Sequence, residues 1–217
     1  MIIESVENGS NDRPSKKKII FPVTESLRKY LSKYSREVDL PATYEDLQRF
    51  IYTTPIKGKN GQQDSSWERA SYDMYEWQQL KENLIKNYAI LKTKGDLEYI
   101  HNLDVAAIYF FYFLNIQPFI ISIVNKFNDN YDHYYIKKAD TSRIFGLELE
   151  HLLSPNRITY FTNNNTLIEE HIPGIPGDVF ITNYLHKSET NQIRLAKEFV
   201  KFNTRCFAQL LGDMRSY

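Results

Sequence analysis

The chain has 217 residues, 42% apolar and 25% charged, the mix of an ordinary globular protein of one large domain or two small ones. Its 27 basic and 27 acidic side chains cancel. That removes the electrostatic basis for a sequence-independent grip on nucleic acid or an anionic membrane.

In chain order, residues 1–18 carry Asn-Gly-Ser, a proline and three consecutive lysines, and read as a flexible lead-in. Residues 19–103 read as a helical region. Thr24 caps a segment with Leu27, Tyr30, Leu31 and Tyr34 at helical spacing. The stretch LPATYEDLQRFI opens a second helix, with Thr43 as N-cap and Asp46 three residues on, a capping-box arrangement. TTPIKGKNGQQDSS follows as a loop, marked by Pro55, Gly58 and Asn60-Gly61. Ser66 to Lys94 is expected as the longest helix, with Trp67, Ala70, Met74, Trp77, Leu80, Leu84, Tyr88 and Leu91 on one stripe and Gly95 as its stop.

From Asp104 the period changes. AAIYFFYFLN, PFIISIVNKF and HYYIKK are β-branched and aromatic runs, and FNDNYD reads as a hairpin loop between the last two. The run Val105–Val124 has the length of a membrane span, but Asn115, Gln117 and Pro118 sit at its midpoint, so it reads as two buried strands. TSRIFGLELEHLL follows as a helix capped by Thr141 or Ser142. RITYF and TLIEEHI are two more strands about the turn Asn163-Asn164-Asn165, IPGIPGD is a connector, and a long amphipathic helix starts near Ser188. The lone Cys206 excludes an internal disulfide framework. It falls in an apolar periodicity as a packed thiol and fits a reducing, cytoplasmic setting. The 16 tyrosines and 13 phenylalanines read mainly as bulky core.

Strand alternation puts Tyr135 and Lys137 on one face of HYYIKK, and Tyr134, Ile136 and Lys138 on the other. Lys137, two residues after an aromatic ring, is preferred to Lys138 as a ligand-binding cation. Glu148 and Glu150 on the following helix are the carboxylates that face such a lysine, and Glu148, beside the stripe of Ile144, Leu147 and Leu152, is preferred. The adjacent Glu169 and Glu170 point to opposite faces of their strand, which excludes a facing pair of hydrolase carboxylates. The histidines at 101, 133, 151, 171 and 186 show no metal-ligand spacing.

Taken together, YYIKKADTSR, the short helix with its glutamate, LIEEHIPGIPGD and the terminal LLGDMRS resemble the aminoglycoside phosphotransferase and choline-kinase-like branch of the protein-kinase fold. The resemblance covers residues 104–217. It implies an α+β chain: a helical N-terminal region, a small lobe over 104–180 with an antiparallel sheet of about five strands plus one helix, then the start of a large lobe over 181–217. It further implies ATP and Mg²⁺ as cofactors and an ATP-dependent phosphotransferase acting on a small-molecule or protein acceptor. Lys137 would then bind phosphate, with Tyr135 against the base and Glu148 holding the lysine. The backbone of Glu170, His171 and Ile172 would meet the adenine edge as a hinge, and Asp213 would be the catalytic base. Leu211 stands where that branch has histidine, and the chain stops one residue before the expected metal-binding asparagine. These 217 residues are therefore expected to be an inactive fragment of a longer enzyme. The alternative is a non-catalytic, pseudokinase-like adaptor that binds a protein partner.

Overall fold

The computed structural model describes residues 19–57, 63–98, 100–112, 117–154, 157–175 and 177–208. The expected lead-in over 1–18, the Asn60-Gly61 turn and the terminal LLGDMRSY with Asp213 lie outside these.

The chain is α+β. Seven antiparallel strands run in the order β1-β2-β3-β4-β5-β7-β6. They are β1 (Tyr52–Lys57), β2 (Gln63–Ser71), β3 (Leu103–Phe111), β4 (Phe119–Asn125), β5 (Asn130–Lys138), β6 (Tyr160–Asn163) and β7 (Thr166–Glu170). Before and between them lie helices α1 (Glu25–Lys33), α2 (Tyr44–Leu47), α3 (Met74–Thr93) and α4 (Thr141–Leu153). α5 (Gly177–Asn183) and α6 (Glu189–Ala208) follow. The run from Val105 to Val124 forms β3 and β4, and no helix among the described residues is long and apolar enough to cross a membrane.

The expected loop before Trp67 and the first turns of the expected long helix are instead a β-hairpin, which adds β1 and β2 to the five strands that the region from residue 104 on forms as expected. Trp67, Ala70 and Met74 fit a helical stripe by spacing. However, Trp67, Glu68 and Arg69 pair with Phe111, Phe110 and Tyr109, and Met74 is exposed. The segment QDSSWERAS is mostly polar, and pairing with the edge of β3, not its own pattern, decides for the strand. Pro55 is tolerated because β1 is an edge strand with an irregular register just after it. Asp73, whose carboxylate accepts from the Tyr75 amide, starts α3, and Gly95 follows its left-handed C-cap Lys94 with φ of 88°.

The cap at Thr24 and the capping box of Thr43 and Asp46 form as expected. The cap of α4 is Asp140, one residue before the expected Thr141, with its side chain accepting from the Ser142 amide. The β4–β5 hairpin is tighter than FNDNYD suggests: the turn is 126–129, with Asp129 at φ 53°, and Tyr131 and Asp132 are already strand. α5 was not expected; it begins at the end of the connector IPGIPGD and runs into the stretch before Ser188.

The two faces of the sheet carry separate cores. On one, α2 and α3 cover Ile108, Phe119, Ile121, Ile123, Tyr134, Ile136 and Ile168, through Tyr44, Leu47, Leu80 and Leu84. Tyr134 is fully buried and its hydroxyl donates to the Leu84 carbonyl at 2.9 Å, which fixes α3 over β5. On the other, α1 and α4 pack Leu27, Leu31, Ile144 and Leu147 against Tyr160 and Leu167. The outer edge of β6 is covered by the segment after α1: Thr162 donates its amide to the Arg36 carbonyl at 2.8 Å and accepts from the Val38 amide at 3.0 Å.

Candidate functional site

The second face is where the sequence-derived residues meet. In the β5–β7 ladder Tyr135 is opposite Glu169 and Lys137 opposite Leu167, while Ile136 and Ile168 turn into the α3 core. The alternation expected for Tyr135 and Lys137 therefore holds, and burial drives it: Tyr134 and Ile136 are both fully buried on the opposite face.

Lys137 Nζ is 2.9 Å from Glu169 Oε2 and 4.7 Å from the centroid of the Tyr135 ring. Arg143, in the first turn of α4, closes the same carboxylate from the other side. Its Nε donates to Oε1 at 2.9 Å and its Nη2 to Oε2 at 2.7 Å. Farther along the strands the Tyr135 hydroxyl meets His171 Nδ1 at 3.2 Å, and the His171 ring stands 5.7 Å from that of His133. One face thus runs from two imidazoles, through a phenol, to two cations sharing a carboxylate. His133 to Lys137 spans four residue steps, about 13 Å of strand.

The electrostatics divide this row. Burial would raise the Glu169 carboxyl, yet the Arg143 fork and Lys137 outweigh it and hold the group down at about 2. The bond from Glu169 raises the Arg143 guanidinium in turn. Burial lowers His133, helped by the neighbouring His171, and burial also lowers His171. Burial and then Glu169 raise Tyr135. The ring end is therefore neutral near pH 7 and the other end is ionic.

The chain matches no family model, no curated protein and no solved structure. The site must be read from its own geometry.

That geometry revises the expected list. Glu148 takes its bonds from Tyr30, Arg36 and Tyr160, tying α1 to α4 and β6, and the carboxylate at Lys137 is Glu169. Burial opposes ionisation of Glu148, and those three donors hold its carboxyl below the usual range. Glu148 sits five residues beyond Arg143 on α4, so it reaches β6 rather than β5. Glu150, the alternative, pairs with Arg205 of α6 at 3.0 Å. Lys138, the alternative lysine, shares the opposite face with Tyr134 and Ile136.

Glu170 points to the α3 side, as its alternation with Glu169 requires. Its carboxylate accepts from the Thr159 amide at 2.6 Å and lies 3.8 Å from Lys92. Its own backbone N–H is taken by the Thr159 carbonyl at 3.0 Å, which removes one of the hinge donors the resemblance implies. Ile172 is exposed in the irregular segment after β7. Among the described residues no group of three His, Cys, Asp or Glu side chains is arranged to hold a metal ion.

Three residues of the site are not in the sequence-derived set: His133, Arg143 and Glu169. His133 has the same strand parity as Tyr135 and Lys137 and is visible to the same argument. Arg143 and Glu169 are not, because their meeting depends on how α4 crosses back to β7.

Proposed function

We propose that this chain binds a nucleoside triphosphate and forms the nucleotide-holding part of an ATP-dependent phosphotransferase of kinase-like type. One observation carries the reading: neutral rings and a cation adjoin on one sheet face, with Lys137 Nζ 4.7 Å from the Tyr135 ring and that ring 5.7 Å from the ring of His171, a stacking surface for a base beside a charge for its phosphates. Tyr135 and His171 offer rings and a hydrogen-bonding edge to a neutral base, and Lys137 offers a point charge to the phosphates. The element order supports it too, with three meandering strands, a helix, two strands and then helices, and Lys137 on the third of those strands. Bound Mg²⁺ would neutralise phosphate charge. The described residues' share of the work is to hold the base, position the phosphates and keep the lysine ionised.

The test is thermal unfolding with ATP and Mg²⁺ on the full chain. At a ligand concentration one hundred times Kd the stabilisation is about 2.7 kcal/mol, and Lys137→Ala should remove most of it. No shift in the wild-type chain overturns the reading. The adaptor alternative then gains, and one feature already favours it: α6 leaves Ile193, Phe199, Val200 and Phe207 exposed.

A further inference from the structure

Pairing of β2 with β3 is limited to Trp67, Glu68 and Arg69 against Phe111, Phe110 and Tyr109, although β2 runs on to Ser71 and β3 begins at Leu103. Past Arg69 the two strands part, and their diverging ends line a cavity of about 640 Å³. That volume falls within the range of small-molecule sites. Ladder partners and alternation put Tyr52, Thr54, Arg69, Ser71, Ala107 and Tyr109 on one face of the sheet, the face that carries Tyr135. The short side chains of Ser71 and Ala107 leave the depression, and the larger Tyr52, Arg69 and Tyr109 wall it. Tyr72 and Trp77 also line it, their rings 20° from parallel with centroids 6.1 Å apart. The Tyr72 hydroxyl donates to the Leu47 carbonyl at 2.7 Å, which fixes that wall.

Among the described residues that line the cavity, Arg69 is the one charged side chain. Its Nη2 donates to the Ala106 carbonyl at 3.3 Å, and Ala106 lies at the register shift between Val105 and Ala107. The bond crosses the gap and anchors the guanidinium without neutralising it. Glu68, next in sequence, accepts from Thr53 on the opposite face, and Asp104 pairs with Lys81 and Lys126.

We propose that this cleft is a second ligand site, for a small planar carboxylate: an aromatic ring system bearing one negative charge. The rings of Tyr72, Trp77 and Tyr109 supply flat apolar walls. The part of the Arg69 fork that the Ala106 carbonyl leaves open takes the carboxylate in a charge-assisted pair. One cation with no acid beside it balances one negative charge, which selects a monoanion over a phosphate dianion. The site is independent of the nucleotide reading. Arg69 on β2 and Tyr135 on β5 share a face but stand three strands apart, about 14 Å at the ordinary strand spacing.

The experiment is calorimetric titration of the full chain with 2-naphthoate, its uncharged isostere 2-naphthamide, and acetate. One charge-assisted contact corresponds to about a tenfold change in Kd. Wild type is expected to bind 2-naphthoate more tightly than 2-naphthamide by that factor and to show no heat with acetate. Arg69→Gln should erase the preference and leave the affinity for 2-naphthamide as it was; a merely structural arginine would weaken both ring ligands together. Thr54→Trp, at an exposed position of the edge strand that lines the cleft, should abolish binding of both. No binding of 2-naphthoate by wild type, equal affinity for the two ring ligands, or a preference that survives Arg69→Gln overturns the proposal. An unchanged Kd for 2-naphthoate in saturating ATP and Mg²⁺ supports a separate site. A raised one puts the naphthoate where the nucleotide binds and overturns the second site while leaving the nucleotide reading standing. If Arg69→Gln fails to fold, Arg69→Lys keeps the charge and loses the fork; a loss of about threefold for 2-naphthoate is expected and an unchanged Kd overturns the carboxylate pair.

Discussion

Glu169→Gln tests whether the cluster is ionic in the folded chain. A carboxyl held at about 2, against an ordinary value of 4.5, is stabilised in its charged form by about 3 kcal/mol. Because Glu169 is almost fully buried, little of this is lost to solvent screening. The sign follows from the direction of the shift: the folded group is depressed, so its contribution is complete above about pH 5 and is lost as pH falls through 4.5 toward 2. Glutamine keeps the shape and one acceptor but does not titrate. Urea unfolding of both proteins, by far-ultraviolet circular dichroism between pH 7 and pH 3, should give a stability gap of about 3 kcal/mol at neutral pH, closing to less than half by pH 3. A gap that stays constant with pH refutes the ionic account and leaves Glu169 as a neutral hydrogen-bonding group.

Two further predictions concern the frame that holds the site. Asn87 is fully buried on α3, accepting from the Ala42 amide at 3.4 Å and donating to the Ala42 carbonyl at 2.7 Å. Asn87→Ala strands both backbone groups and should cost about 2–3 kcal/mol in urea unfolding; a cost under about 0.5 kcal/mol would deny the bridge. Gly95→Ala meets no atom within 4 Å, so only its φ of 88° resists, and thermal unfolding should report a loss of about 1 kcal/mol; no loss would show that the backbone relaxes there.

The legible part of this fold was local. Caps at Thr24 and Thr43, the stop at Gly95 and the alternation along Tyr134–Lys138 depend on residues within a turn or a pleat of one another. The hairpin of β1 and β2 was not legible, because Trp67 and Ala70 stand at helical spacing and on opposite faces of a strand, and only pairing with Phe111 and Tyr109 on β3 selects the strand. The site divides the same way. Tyr135 and Lys137 follow from strand parity, and His171 lies at the adjoining end of β7. The partner of Lys137 did not follow, since choosing between Glu148 and Glu169 requires the crossing of α4 over the sheet, which no spacing within the helix encodes.

The opposed glutamates of β7 have a consequence for how the chain assembles. If β7 slid by one residue along β5, Glu169 would turn into the apolar layer of Ile121, Tyr134 and Ile136, and Ile168 would face Lys137 and Arg143. An unpaired buried carboxylate costs several kcal/mol, and the two cations would lose their counter-ion at the same time. The same ions that shape the site therefore reject the nearest mispaired sheet, the one-residue slip that would turn every side chain of the strand to the wrong face.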